Sequence, residues 1–293
     1  MRIGLYRGIP SSTDLLSHYE ADRIGEEAEK LNIELLNIYR EDIIYHPSKS
    51  EILIKSIPIN QFDGFIFRLG AKYDIDNVGN ILYKLNKLNI PFLNSEHLNN
   101  FLYGYNKLIQ YTLVKEYDIP FPKTSVISSN KEFISFNDEN YILKPSVGFH
   151  GRDVLPNNER NREFLLKNYS PDEIIIQKRI VAKNDYRVII LNGRSLGVMK
   201  RTSSNGSLTT NISLGGIGEK AEDKKLEDMA IKIAGIFKVD YAGVDLILDE
   251  DNNPYFLEIN RNAQFRGFEN ALGVNVAEKI LEFMKNKISS LPS

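Results

Sequence analysis

Asp245-Leu246-Ile247-Leu248-Asp249-Glu250-Asp251-Asn252-Asn253-Pro254-Tyr255-Phe256-Leu257-Glu258-Ile259-Asn260-Arg261-Asn262-Ala263-Gln264-Phe265-Arg266-Gly267-Phe268-Glu269 is the stretch around which the chain is organised. Two apolar β-type runs, Val244 to Leu248 and Tyr255 to Ile259, flank a turn-rich segment from Asp249 to Pro254, which is a hairpin signal. If Leu248 pairs with Tyr255, the antiparallel register sets Asp245 opposite Glu258 with both side chains on one face. Asn260, two residues on, shares that face. Opposed like charges destabilise a bare strand pair, so facing carboxylates on an otherwise apolar hairpin call for a cation. Magnesium suits the set, because it takes one or two carboxylates and completes its octahedron with phosphate oxygens and water. The competing reading is a half-solvated hairpin with coincidental acids.

Upstream, short strands at Ile3 to Tyr6, Ile33 to Tyr39 and Gly64 to Arg68 alternate with helical stripes. The stripes run through Ala21, Ile24, Ala28 and Leu31, then through Ile75, Val78, Leu82 and Leu85. Phe92-Leu93-Asn94 resumes as strand. This alternation predicts a mostly parallel α/β sheet over residues 1–94, with Arg68 at a strand end where ligands are commonly held. A long helix is expected from Leu98 to about Tyr117, striped by Leu98, Phe101, Leu102, Tyr105, Ile109 and Leu113. Short strands at 124–127, 141–144, 153–155 and 174–177, with a helix near Glu159 to Lys167, make an α+β lobe over 95–177. The last lobe, 178–293, opens with a hairpin, Tyr186 to Leu191 and Arg194 to Arg201, joined at Asn192-Gly193. It continues with a helix through Leu226, Met229, Ala230, Ile233 and Phe237, then the acidic hairpin, then a helix from Gly273 to Lys285. The fold class is thus α/β plus α+β.

Lys144-Pro145-Ser146-Val147-Gly148-Phe149-His150-Gly151-Arg152 places a lysine at a strand end just before a loop with two glycines, whose amides can approach phosphate oxygens. It lacks the Gly-Lys-Ser/Thr ending of a Walker loop. Gln177-Lys178-Arg179 leaves the strand 174–176 where one lobe passes to the next, a place from which backbone groups can meet an adenine edge. Arg187 and Arg201 lie on the two strands of the Asn-Gly hairpin. A strict two-residue loop points them to opposite faces, whereas a three-residue loop with a bulge brings them together. Thr209-Thr210-Asn211, before Gly215-Gly216, is a polar loop able to meet phosphate or an ordinary surface turn. The histidines His18, His46, His97 and His150 show no metal-ligand spacing.

Composition bounds the partners. With 293 residues, 42% hydrophobic and 26% charged, the chain is long enough for two or three subdomains. A net charge of -2 with interspersed signs gives no electrostatic reason for a nucleic-acid or membrane partner. No cysteine is present, which excludes disulfides and thiolate metal sites. The first residues are too polar for a signal peptide and no run approaches a membrane span, so a cytoplasmic protein is expected.

Taken together these pieces resemble the ATP-grasp superfamily, in particular the RimK-type and LysX-type carboxylate-amine ligases. The matching elements, from about Asn94 to Phe283, are Lys107, Lys144-Pro145 with its glycine loop, Gln177, Asp185-Tyr186-Arg187, Met199-Lys200-Arg201, Asn211 ahead of Gly215-Gly216, Ala242-Gly243-Val244-Asp245 and Glu258-Ile259-Asn260. The resemblance implies an N-terminal Rossmann-like domain and two α+β lobes clasping ATP. Lys107 and Lys144 would contact phosphate and adenine, the loop with Ser146, Gly148 and Gly151 would close over the triphosphate, and Gln177 would stand at the hinge. Lys178-Arg179 would present backbone to adenine and Asp185 would face the ribose side. Asp245, Glu258 and Asn260 would hold Mg2+, two ions being expected and Mn2+ an alternative. Arg201, with Arg187 as the other candidate, would serve the acyl phosphate and the oxyanion. The implied reaction joins a carboxylate to an amine with release of ADP and phosphate, in an enzyme expected to be a homo-oligomer. The acceptor would be an amino acid, a ribosomal peptide or a carrier-protein terminus. Two rivals are a nucleotide-binding regulator without turnover and phosphotransfer to a hydroxyl. Thr209 departs from the arginine of RimK-type enzymes, and Asn262 to Gly267 departs from their Ser-Pro-Gly run toward the LysX-type pattern and the enzymes that cross-link ribosomal peptides.

Overall fold

The computed structural model describes residues 1–8, 15–68, 75–100, 105–148, 154–182, 184–202 and 217–290. The chain divides into two compact units: Met1–Leu102 with Lys238–Tyr241 and Arg261–Ser293, and Tyr103–Phe237 with Ala242–Asn260.

The first unit begins with β1 (Arg2–Gly8), α1 (Leu15–Lys30) and β2 (Glu34–Tyr39), followed by β3 (Ile43–His46), β4 (Glu51–Ile54), β5 (Ile57–Pro58), β6 (Gly64–Phe67), α2 (Ile75–Lys87) and α3 (Ser95–Asn100). As the alternation predicts, β2, β1 and β6 form a parallel sheet in that order. Phe92 adds a single parallel bridge to Phe65 where a further strand is expected. Ile3 and Leu5 are fully buried, as befits a sheet covered on both faces. Gly4 is required by packing: a Cβ there would come within 2.5 Å of the Phe65 ring. A small antiparallel sheet, β3-β4-β5, is an addition that the sequence pattern did not announce.

The second unit holds α4 (Lys107–Lys115), β7 (Thr124–Ser125), α5 (Asn130–Ser135), β8 (Tyr141–Pro145), β9 (Leu155–Pro156), α6 (Glu159–Leu166) and β10 (Ile174–Lys178). It continues with β11 (Asn184–Leu191), β12 (Arg194–Thr202), β13 (Ile217–Ala221), α7 (Lys224–Ile236), β14 (Tyr241–Leu248) and β15 (Pro254–Asn260). Two sheets carry it, β7-β10-β8-β9 and β13-β12-β11-β14-β15. Phe133, Leu143, Leu165, Ile174 and Ile176 form the core beside the first.

The expected long helix from Leu98 is not continuous. Asn106 caps a new helix, its side chain accepting from Leu108 N at 2.8 Å, so Lys107 opens α4 instead of lying mid-helix. The stripe also differs. Lys107, Gln110, Tyr111 and Val114 face inward while Ile109 is 40% exposed, because polar side chains on this helix are needed for the backbone of β15.

After β15 the chain returns to the first unit with α8 (Arg266–Leu272) and α9 (Val276–Ser289). Gly273 does not start the last helix. It ends α8 in the left-handed region at φ 69°, donating to Glu269 O.

Two bulges set the faces of the five-stranded sheet. At Asn192-Gly193 both residues have positive φ (51° and 68°) and Leu191 pairs with Arg194, a strict two-residue turn. Ile190 then pairs with Ser195 but Ile189 with Gly197, so Leu196 is extra. Beyond it Asp185 faces Arg201 and Arg187 faces Met199. The turn alone would have parted the two arginines; the bulge inside β12 reunites them on one face. Gly197, at φ 135°, makes it possible, and its N–H donates to Ser195 Oγ at 3.0 Å. Gly197→Val should therefore cost roughly 1–3 kcal/mol in urea unfolding. A loss below about 0.5 kcal/mol, the range of an ordinary surface change, would mean that the glycine does not sustain the bulge.

The acidic hairpin repeats the device. Leu248 pairs with Pro254 and Ile247 with Tyr255, not Leu248 with Tyr255 as expected, and the register shifts between Asp245 and Leu246. Leu257 is the extra residue, and the shift delivers the expected pairing of Asp245 with Glu258.

Candidate active site

On one face of the five-stranded sheet, charged side chains from three neighbouring strands meet. Arg187 of β11 grips Asp245 of β14 through two parallel bonds, Nε to Oδ1 at 2.8 Å and Nη2 to Oδ2 at 2.7 Å. Arg201 of β12 grips Asp185 of β11 likewise, at 2.6 and 2.9 Å, and its Nη2 lies 3.1 Å from Asp245 Oδ2. Such planar forks suit bidentate pairing with a carboxylate. Burial acts to raise the Asp245 pKa, but the Arg187 and Arg201 guanidiniums overcome it and hold the carboxyl below its usual range. Burial likewise opposes the charge of Arg201, and Asp245 and Asp185 more than restore it.

A second group gathers where α4 meets β8, β10 and β15. Glu258 is paired with Lys107, Nζ to Oε2 at 3.2 Å, and the same Nζ donates to Gly148 O at 3.2 Å. Lys144 is buried, donating to Tyr111 Oη at 2.9 Å and Gln177 Oε1 at 2.8 Å. In the β8–β10 pairing Lys144 faces Ile175, so Gln177, two residues on, shares its face. Gln177 Nε2 donates in turn to Thr124 Oγ1 at 2.8 Å, and Tyr111 Oη to Leu257 O at 2.7 Å. That carbonyl belongs to the bulge residue of β15. Gln110 forms a reciprocal pair with Ile259, Nε2 to O and N to Oε1, both 3.0 Å. The α4 side chains thus satisfy backbone groups of β15 that the sheet leaves unpaired.

Burial pushes the Lys144 ammonium from the ordinary 10.5 down to about 8, against the field of Glu258, and burial raises the Tyr111 hydroxyl. For a base with a depressed folded value, the unfolded chain holds more protons between the two values. Lys144 therefore makes stability rise with pH between about 8 and 10.5. Unfolding free energies at pH 8 and pH 10 should show this gain in the wild type and not in Lys144→Met. Parallel pH curves would refute it.

Most sequence-selected residues come together here, namely Lys107, Lys144, Gly148, Gln177, Asp185, Arg187, Arg201, Asp245 and Glu258. Asn260 shares the face of Glu258, opposite Gly243. Ser146 is buried, with its N–H on Glu173 O and its carbonyl on Lys107 N. The N–H groups of Lys178 and Arg179 are bonded to Lys123 O at 2.8 Å and Asn140 O at 2.7 Å. Gly151, Asn211, Thr209, Thr210 and His150 lie outside the described residues. Arg68 belongs to the first unit, where both terminal nitrogens donate to Ala263 O at 3.3 and 3.2 Å. Sequence reasoning missed Gln110 and Tyr111. The only signal was two polar-capable side chains at successive positions of a helix read as apolar.

Two carboxylates and a carboxamide on one face are hard oxygen donors, a set that fits a magnesium-like cation with open positions for further oxygens. The protein's own cations now stand on both carboxylates. Among the described residues no group of three or more His, Cys, Asp or Glu forms a self-sufficient metal cluster.

A family model described as the RimK-like ATP-grasp domain matches residues 104–284. The chain belongs to the RimK-like ATP-grasp family. Human beta-citrylglutamate synthase B is 26% identical over 198 residues, covering 63% of this chain and 51% of that protein. A probable alpha-L-glutamate ligase of Rhodopirellula baltica is 23% identical over 283 residues, covering 92% of this chain and 69% of its own. The chain spans about half the length of several curated relatives it matches. The structure of the ATP-grasp ligase PsnB complexed with minimal precursor, Mg and ADP superposes with a TM-score of 0.73 at 15% identity, covering 97% of both chains. That likeness establishes the ATP-grasp fold for this RimK-like chain.

Proposed function

We propose that this protein is an ATP-dependent ligase that joins a carboxylate to an amine through an acyl phosphate, releasing ADP and phosphate. The observation that carries it is the convergence of the buried Arg201, the partly buried Arg187 and the buried Lys144 beside the facing pair Asp245 and Glu258. Support also comes from relatives named as synthases and ligases.

In this reading the sheet containing Lys144 and the sheet containing Asp245 are the two lobes that hold ATP. Lys144 keeps one N–H beyond its bonds to Tyr111 and Gln177, and it would give that donor to a phosphate oxygen, as would Lys107 on leaving Glu258. Asp245, Glu258 and Asn260 would hold Mg2+, with two ions and tolerance of Mn2+ as the finer proposal. When bound, the metal neutralises charge on the phosphoryl oxygens. A substrate carboxylate oxygen takes the γ-phosphoryl group and ADP leaves. The amine then attacks the acyl carbon, loses its proton, and phosphate departs. Arg201, or Arg187 beside it, would stabilise the oxyanion formed on that attack. The substrates are an amino acid or peptide-like acceptor, a ribosomal peptide or a carrier-protein terminus included. We place the enzyme in the cytoplasm as a homo-oligomer without nucleic-acid or membrane partners. Among the described residues no helix is long and apolar enough to cross a membrane.

The test is ADP release against a panel of amino acids and candidate carboxylates, with mass analysis of the product. An amide together with inorganic phosphate is expected. A phosphoester would move the protein to phosphotransfer, and nucleotide binding without turnover on any substrate would make it a regulator.

A further inference from the structure

Asp245 stands where a metal ligand should, yet its carboxylate is already engaged, by Arg187 at 2.8 and 2.7 Å and by Arg201 at 3.1 Å. The two arginines are held differently. Arg201 is anchored by two further bonds to Asp185 at 2.6 and 2.9 Å, and its side chain is 3% exposed. Arg187 has Asp245 as its only carboxylate partner among the described residues, and its side chain is 14% exposed. One guanidinium is held by two carboxylates and the other by one. Asp185, Asp245 and Glu258 are set against Arg187, Arg201 and Lys107, and Lys144, within the field of Glu258, adds a further positive charge. A bare dication would enter a cluster with no net negative charge and meet two guanidiniums on the oxygen it needs.

We propose that Arg187 is an internal counter-ion that keeps Asp245 closed to divalent cations until the triphosphate of the nucleotide draws the guanidinium away. This rests on the ligase reading above, with Asp245 as a metal ligand. The metal then enters together with an anion that takes the released arginine, and the free ion alone is excluded. Glu258 does not impose the same block, because its partner is a single lysine ammonium that also bonds the Gly148 carbonyl.

Binding of Mn2+ without nucleotide, followed by electron paramagnetic resonance, tests the idea without any turnover. The wild type should bind the free ion weakly, and Arg187→Gln at least tenfold more tightly. Adding Asp245→Asn to that variant should abolish the gain. Arg187→Lys keeps the charge but not the two-bond fork, so it should lie between wild type and the Gln variant, and it serves if the Gln variant does not fold. Equal Mn2+ affinity in wild type and both single variants would overturn the proposal, as would a gain that survives Asp245→Asn. A parallel titration of the wild type with a non-hydrolysable ATP analogue, with and without Mg2+, reports on the ligase reading separately. Failure to bind the analogue with or without Mg2+ would remove that reading itself.

Discussion

Replacing Arg201 by alanine is expected to cost roughly 3–5 kcal/mol of folding stability, because it leaves the buried Asp245 and the partly buried Asp185 without their shared cation. Arg201 is 2% exposed and joins Asp185 and Asp245 in one network, so its loss strands a charge on β11 and weakens the hold on another on β14. Asp245 keeps Arg187, but Asp185 has no other cation partner among the described residues. Amide formation should fall by roughly 100-fold or more if the guanidinium serves the oxyanion. The two losses are separable. At low temperature, where the variant is still folded, nucleotide affinity should stay near wild type while turnover remains low. Arg201→Lys should recover part of both, since an ammonium keeps the charge but loses the fork that bridges the two acids. Urea unfolding combined with ADP-release kinetics decides the matter. Wild-type turnover in Arg201→Ala would shift the catalytic role to Arg187, and unchanged stability would contradict the buried network.

Glu258→Gln should lose turnover as well, but with only a small change in stability. The Lys107–Glu258 pair lies at the edge of the site, with the glutamate side chain 32% exposed, so breaking it costs within about 1 kcal/mol. The amide can still accept from Lys107 through its oxygen. It cannot supply the negative charge that a divalent cation needs. Charge stabilisation of several kcal/mol would go with it, a fall in turnover of roughly a thousandfold. The concentration of Mg2+ giving half-maximal ADP release should rise as well. Turnover with an unaltered Mg2+ dependence would remove Glu258 from the metal set.

Much of this molecule was legible in its residues. Period-two runs and the Asn192-Gly193 dipeptide located the hairpins, and the alternation before residue 95 gave the parallel sheet, because local pattern reports which face of an element is buried. The charged residues that gather around Asp245 and Lys144 were nearly all chosen from order and residue type. What local pattern could not decide was register. Whether Arg187 and Arg201 share a face depended on one extra residue, Leu196, and the pairing of Asp245 with Glu258 was reached only through another, Leu257. The second bulge is tied to a contact from elsewhere in the chain. The Leu257 carbonyl is met by Tyr111 from α4, a residue that is distant in sequence and that no strand pattern connects to it. The sequence by itself determined which elements form and which charges are available. Tertiary structure alone decided that Asp245 is held by two arginines and that Lys144 is buried with no carboxylate bonded to it among the described residues, because burial and pairing depend on neighbours from several strands at once.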